Sequence, residues 1–219
     1  WTGGENGLPG VPSPKDVLGH HIGQPATLTY YADILKFYRA LAAATPRVKV
    51  ETIGRSDEDR ELVVVWVSSD ENMRALQRNR DNLAKIADPR SLSADDIKQL
   101  IATTKPQYHL MGGLHSGETG PSEMLMELVY RLATETSPLI RQIRDNVIVS
   151  VTPVADADGR DRNVDWFYRG LDTAAASPAP SATAEGGTGG GAGAAAGAGT
   201  AATGIGAGGG GGGIPYWGK

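Results

Sequence analysis

The chain has 219 residues, a formal net charge of −4, no cysteine and four histidines. That length is enough for one sizeable core, so a single α/β or α+β domain is expected. The acidic balance gives no basic footprint for nucleic acid, the missing cysteines exclude disulfides and thiolate metal ligands, and no apolar run approaches a membrane span.

Taken in chain order, residues 29–45 place Ile34, Leu35, Tyr38 and Leu41 at helical spacing. RVKVETIG (47–54) reads as a strand, SDEDR (56–60) as a turn, and ELVVVWVSS (61–69) as a buried strand and hairpin partner. ENMRALQRNRDNLAKIA (71–87) has the pattern of a polar helix. In SADDIKQLIATT (93–104), Ser93 and Asp96 have capping-box spacing at the start of a short helix. YHLMGG (108–113) is the third strand. Pro121 suits a first helical turn, and 122–136 then reads as an amphipathic helix buried through Met124, Leu125, Leu128 and Leu132. VIVSVTPV (147–154), apolar on both faces, fits an interior parallel strand. Strand, helix and strand from 108 to 154 make a crossover unit.

Composition divides the chain. Residues 1–171 have globular character. Residues 172–213 are almost entirely Gly, Ala, Ser, Thr and Pro, with Asp172 and Glu185 the charges, and read as a flexible insert, because such a composition buries too little apolar surface to offset its ordering entropy. Residues 214–219 (IPYWGK) regain aromatic character, as though a folded region resumed.

His115 and Glu118 lie in LHSGETG, directly after the third strand, and ADADGRDR (155–162) follows the fourth. Both loops are expected on the same carboxyl edge of the sheet, where open α/β sheets collect ligands. A bare H-x-x-E permits two readings. Glu118 can serve the helix dipole beside a loop histidine, or an imidazole and a carboxylate from one tight loop can ligate a single Zn²⁺, with Gly112, Gly113 and Gly117 letting the backbone turn closely.

The run GGLHSGETG, an apolar helix, and a buried strand leading into DADGRDR together resemble the zinc carboxypeptidases of the carboxypeptidase A type. PSPKDVLGHHIG and IGRSDEDRELVVVWVSS are similar to the opening of bacterial members, so the resemblance spans roughly 12–170 and 215–219. It implies a three-layer α/β/α sandwich with a mixed, largely parallel sheet, zinc as cofactor, and His115 and Glu118 as metal ligands. It further implies a peptide or protein C-terminus as substrate, Arg169 as the group polarising the scissile carbonyl, and a secreted or periplasmic location. The chain departs from the pattern at Asp156-Ala157, where the family usually has Asn-Pro; Asp158, Gly159 and Arg160 match, and this loop is expected to be a structural turn.

A catalytic zinc needs three protein ligands and an exchangeable water, yet no histidine follows His115 in these 219 residues. His20, His21 and His109 are expected to be loop and strand residues and not the missing ligand. The carboxylate-gripping Asn-Arg pair and the late glutamate base of the family are also absent. The expectation is therefore an N-terminal part of such a domain, inactive alone. A deacylase of the same fold and a non-catalytic binding module are the alternatives.

Overall fold

The computed structural model describes residues 8–176, with side chains to 172. Contacts divide the chain into two compact units, Trp1–Tyr168 and Arg169–Lys219. Residues 172–176, the start of the insert expected over 172–213, continue the helix Ala157–Ala176; the rest of the insert and the segment 214–219 lie outside the described residues.

The element order is α1 (Pro14–Leu18), α2 (Tyr31–Ala44), β1 (Val48–Arg55), β2 (Glu61–Val67), α3 (Asp70–Arg74), α4 (Leu76–Ala87), α5 (Ala94–Thr103), β3 (Gln107–Met111), α6 (Thr119–Thr134), α7 (Pro138–Asn146), β4 (Ile148–Thr152) and α8 (Ala157–Ala176), with a short 3₁₀ turn at Pro89–Ser91. The four strands form one mixed sheet in the order β1-β2-β4-β3. β1–β2 and β2–β4 are antiparallel, and β3–β4 is the parallel pair.

Strand periodicity sorts the side chains into two layers. Val63, Val65 and Val67 of β2 and Val149 and Val151 of β4 face α2 and α6, joining Ile34, Phe37, Tyr38, Leu41, Met126 and Val129 in the main core. Trp66 and Ile148 face the other way and are covered by Leu76 and Met73. Helices thus cover both faces of an α/β fold. Trp66 also donates its indole N–H to Glu51 at 2.9 Å, and the Arg80 guanidinium stands 5.0 Å over its ring, a cation–π arrangement. No helix among the described residues is long and apolar enough to cross a membrane.

The structure corrects several local readings. The polar helix expected over 71–87 is broken at Ala75 into α3 and α4. Ser69 caps α3, and the Asn72 amide donates to Ser68 Oγ and to the Arg144 and Asp145 carbonyls, which pins the short helix while α4 turns Leu76 onto Trp66. Met124, expected on the buried face of α6, is 50% exposed; Leu125 and Leu132 are buried as expected, and Met126, Val129, Tyr130 and Ala133 are buried with them. α6 is covered by both the sheet and neighbouring helices, so a single stripe does not describe it. Two further helices carry start signals in the sequence. α1 carries a Ser13/Asp16 capping box and α7 a Ser137 cap, each with proline in its first turn.

Burial pushes the Glu127 carboxyl on α6 up to about 6, against the opposing pull of Arg131 at 3.4 Å. Between pH 4.5, its ordinary value, and about 6 the folded state binds more protons than the unfolded chain, so this group makes stability fall as pH rises through that window. Glu127→Gln is expected to flatten that segment of the pH–stability curve and to stabilise the protein at pH 7 by about 1 kcal/mol, after a discount for solvent screening of a partly exposed group. Urea unfolding across pH 4–8 checks it; an unchanged slope in the variant would contradict the assignment.

Candidate metal site at the carboxyl edge of the sheet

β3 and β4 run parallel, so both of their following loops open on one edge. The ladder continues past the strand ends. Gly112 N–H donates to the Thr152 carbonyl, Ala155 N–H to Gly112 and Asp156 N–H to Gly113, each at 2.9 Å. Gly113 takes a left-handed φ of 57°, the conformation glycine adopts without steric cost. A Cβ on Gly159 would stand 2.6 Å from Ser116 Cβ, so the two loops touch, as their order in the sequence predicted.

Glu118 N–H donates to the His115 carbonyl at 2.9 Å, closing a tight turn. Across this turn the His115 Nδ1–H donates to Glu118 Oε1 at 3.0 Å, and both side chains are exposed. Two ligand atoms in a tetrahedral zinc shell with bonds near 2.0–2.1 Å stand about 3.4 Å apart. The observed pair differs from that by a few tenths of an ångström, within reach of small side-chain rotations. Replacing the shared proton by a divalent cation would leave both atoms as ligands. The donor set fits two positions of a zinc shell. Among the described residues, no group of three His, Cys, Asp or Glu side chains that could hold a metal is found.

The other histidines have different work. His109 on β3 contacts Ser150 Oγ through Nδ1 at 2.9 Å and Thr152 Oγ1 through Nε2 at 3.4 Å. His20 Nε2 lies 3.2 Å from Thr29 Oγ1, and His21 is exposed. Both placements match the strand and loop roles expected for them.

The 155–162 stretch is not a free-standing turn. From Ala157 onward it is the first part of α8. Asp156 Oδ1 accepts the Gly159 N–H at 2.9 Å, acting as the helix cap, and Ala157 takes the first helical position. Asn and Asp serve equally well as N-caps, and proline is favoured at the next position. Asp-Ala in place of Asn-Pro therefore preserves the local geometry, and the departure from the family pattern costs little.

Arg160 is the residue whose importance the sequence concealed. It is 1% exposed. Its guanidinium donates to the Thr29 carbonyl at 3.0 and 2.9 Å, to the Thr119 carbonyl at 3.1 Å, and to Glu123. Glu123 in turn accepts from Thr29 N–H at 2.8 Å and Thr29 Oγ1 at 2.9 Å. One cation thereby joins the segment before α2 to the start of α6, directly beside Glu118. Asp161, one residue on, caps α2 through Tyr31 N–H at 2.8 Å and holds Arg60 Nε at 3.0 Å. Asp158 accepts from Ser56 Oγ at 2.7 Å and from Glu58 N–H at 3.1 Å in the β1–β2 turn. The beginning of α8 is thus a hub for three segments. Arg169 lies farther along α8, in the unit Arg169–Lys219, and its side chain is exposed.

Compared with known proteins, the chain matches a family model described as zinc carboxypeptidase over residues 34–170, a span that takes in both loops. A search of curated proteins returned no match.

Proposed function

Because the chain belongs to the zinc carboxypeptidase family, we propose that His115 and Glu118 supply two ligands of a catalytic Zn²⁺ in a metallocarboxypeptidase, which hydrolyses the peptide bond next to a free C-terminal carboxylate. The observation that carries this reading is the pairing of His115 Nδ1 with Glu118 Oε1 at 3.0 Å on the carboxyl edge of the parallel pair. When bound there, zinc supplies Lewis acidity that polarises the scissile carbonyl and acidifies a water.

The chain's own residues prepare that chemistry. The close turn at Gly112-Gly113 brings His115 out over the strand ends, and the turn closed by Glu118 N–H aims both ligand atoms at one point. Arg160 fixes the Thr119 carbonyl and so the backbone next to Glu118. A peptide or protein C-terminus is the proposed substrate.

Zinc titration by calorimetry tests the assignment. Two protein ligands leave the shell to be completed by water, so the 219-residue polypeptide should bind zinc weakly and turn over no peptide. His115→Ala and Glu118→Ala should each abolish what binding there is, and binding should release protons and weaken below neutral pH. Zinc binding that survives both substitutions would place the metal elsewhere. Absence of any saturable zinc binding would favour a non-catalytic module that keeps the fold.

A further inference from the structure

The opposite edge of the sheet carries a second feature. A cavity of about 420 Å³ opens at the amino ends of β3 and β4, where it is lined by Lys105, just before β3, and Ile148, the first residue of β4. Arg74, Arg78, Asn79 and Asn82 of α3 and α4 form its helical wall. Five strand residues at 3.3 Å each separate this edge from the His115 loop by about 17 Å, so the cavity is no extension of the metal site.

Its wall gathers three cations, Arg74, Arg78 and Lys105. Arg39, Arg47, Arg55, Arg60, Arg80 and Arg90 each pair with a carboxylate within 4 Å. Among the described residues, the Arg74, Arg78 and Lys105 side chains make no hydrogen bond or ion pair, and Glu71 is the one carboxylate on the cavity wall. The site is also built. Asn79 is 7% exposed, and its amide donates to the Lys105 carbonyl at 2.9 Å while its oxygen accepts the Lys105 N–H at 2.7 Å. That clamp holds the Lys105 backbone against α4, which carries Arg78, while Arg74 is the last residue of α3.

We propose that this cavity is a binding site for a phosphate-bearing small molecule carrying more than one negative charge. Two guanidinium forks and one ammonium converge on a volume of small-ligand size. Guanidinium forks match the paired oxygens of a phosphate, and lysine adds a point charge without a directional demand. A wall of arginine, lysine and asparagine disfavours an apolar ligand, and a cavity of this volume suits a diphosphate.

The test is calorimetric titration of the 219-residue chain with pyrophosphate, inorganic phosphate and citrate at constant ionic strength. Pyrophosphate should bind most tightly, because it places two phosphates among three cations. Arg74→Gln, Arg78→Gln and Lys105→Gln should each weaken pyrophosphate about tenfold or more, the range expected for one charge-assisted hydrogen bond. His115→Ala should leave pyrophosphate affinity unchanged. Arg74 and Arg78 are exposed, so their variants should melt like the parent and report binding alone. Three results would overturn the proposal: no saturable pyrophosphate binding at millimolar concentrations, equal binding by the three variants, or citrate binding as tightly as pyrophosphate.

Discussion

Replacing Arg160 by methionine should destabilise the protein by about 3–5 kcal/mol, the cost typical of removing one partner from a buried ion pair. The guanidinium is fully enclosed and bonds two backbone carbonyls and Glu123. Methionine fills part of the volume but leaves Glu123 as a buried charge supported only by Thr29, and leaves the Thr29 and Thr119 carbonyls without their donor. Arg160→Met combined with Glu123→Gln should cost clearly less than the two single losses summed, because the neutral amide no longer needs a cation. Urea denaturation of the three variants measures this. A single-variant loss below about 1 kcal/mol would mean that the network is replaceable by water. The same substitution should speed amide exchange at Thr119 and Glu118 ahead of the core strands, since the start of α6 loses its anchor.

Gly112→Ala should cost about 2–3 kcal/mol, at the upper end of the range for overpacking a filled site. The new methyl would stand 2.8 Å from the Pro153 carbonyl oxygen and 2.8 Å from Leu125 Cδ1. The Pro153 oxygen is backbone and cannot swing aside. Gly112 cannot retreat either, since its N–H and carbonyl both join the continued ladder to Thr152 and Ala155. Relief must come from separating the 112–118 loop from the 153–156 loop, which disturbs His115 and Glu118 together. Gly117→Ala is the matched control, because nothing lies within 4 Å of its ideal Cβ, and it should stay within about 1 kcal/mol of the parent. Thermal unfolding compares them, and equal melting temperatures for the two variants would refute the packing argument.

Signals that act over a few residues were readable before the fold was known. The Ser93/Asp96 box marks the start of α5, as its spacing announced. Helical spacing of Ile34, Leu35, Tyr38 and Leu41 marks the buried face of α2. The apolar runs became β2 and β4, and the H-x-x-E loop falls at the carboxyl end of β3 because strand, helix and strand in that order leave a parallel pair little choice. The placement of His115 and Glu118 at that edge was therefore legible in the sequence.

Other features depend on which segment covers which. Arg160 reads as a surface charge in a polar stretch; only the packing of the pre-α2 segment, α6 and α8 shows it enclosed. The exposed Tyr108 and Met111 on β3 follow from its place at the edge of the described sheet, which local pattern does not encode. Likewise the cationic cavity joins α3 and α4 to Lys105, which lies 27 residues beyond Arg78 in the chain and meets it only in the fold. Periodicity reports how one segment presents its faces to an average environment, and it determined most of the elements, their order and the placement of the loop that carries His115 and Glu118. Burial, pairing and charge convergence are set by distant segments that the chain brings together only on folding, so the Arg160 hub and the cavity at the opposite edge were decided by tertiary structure alone.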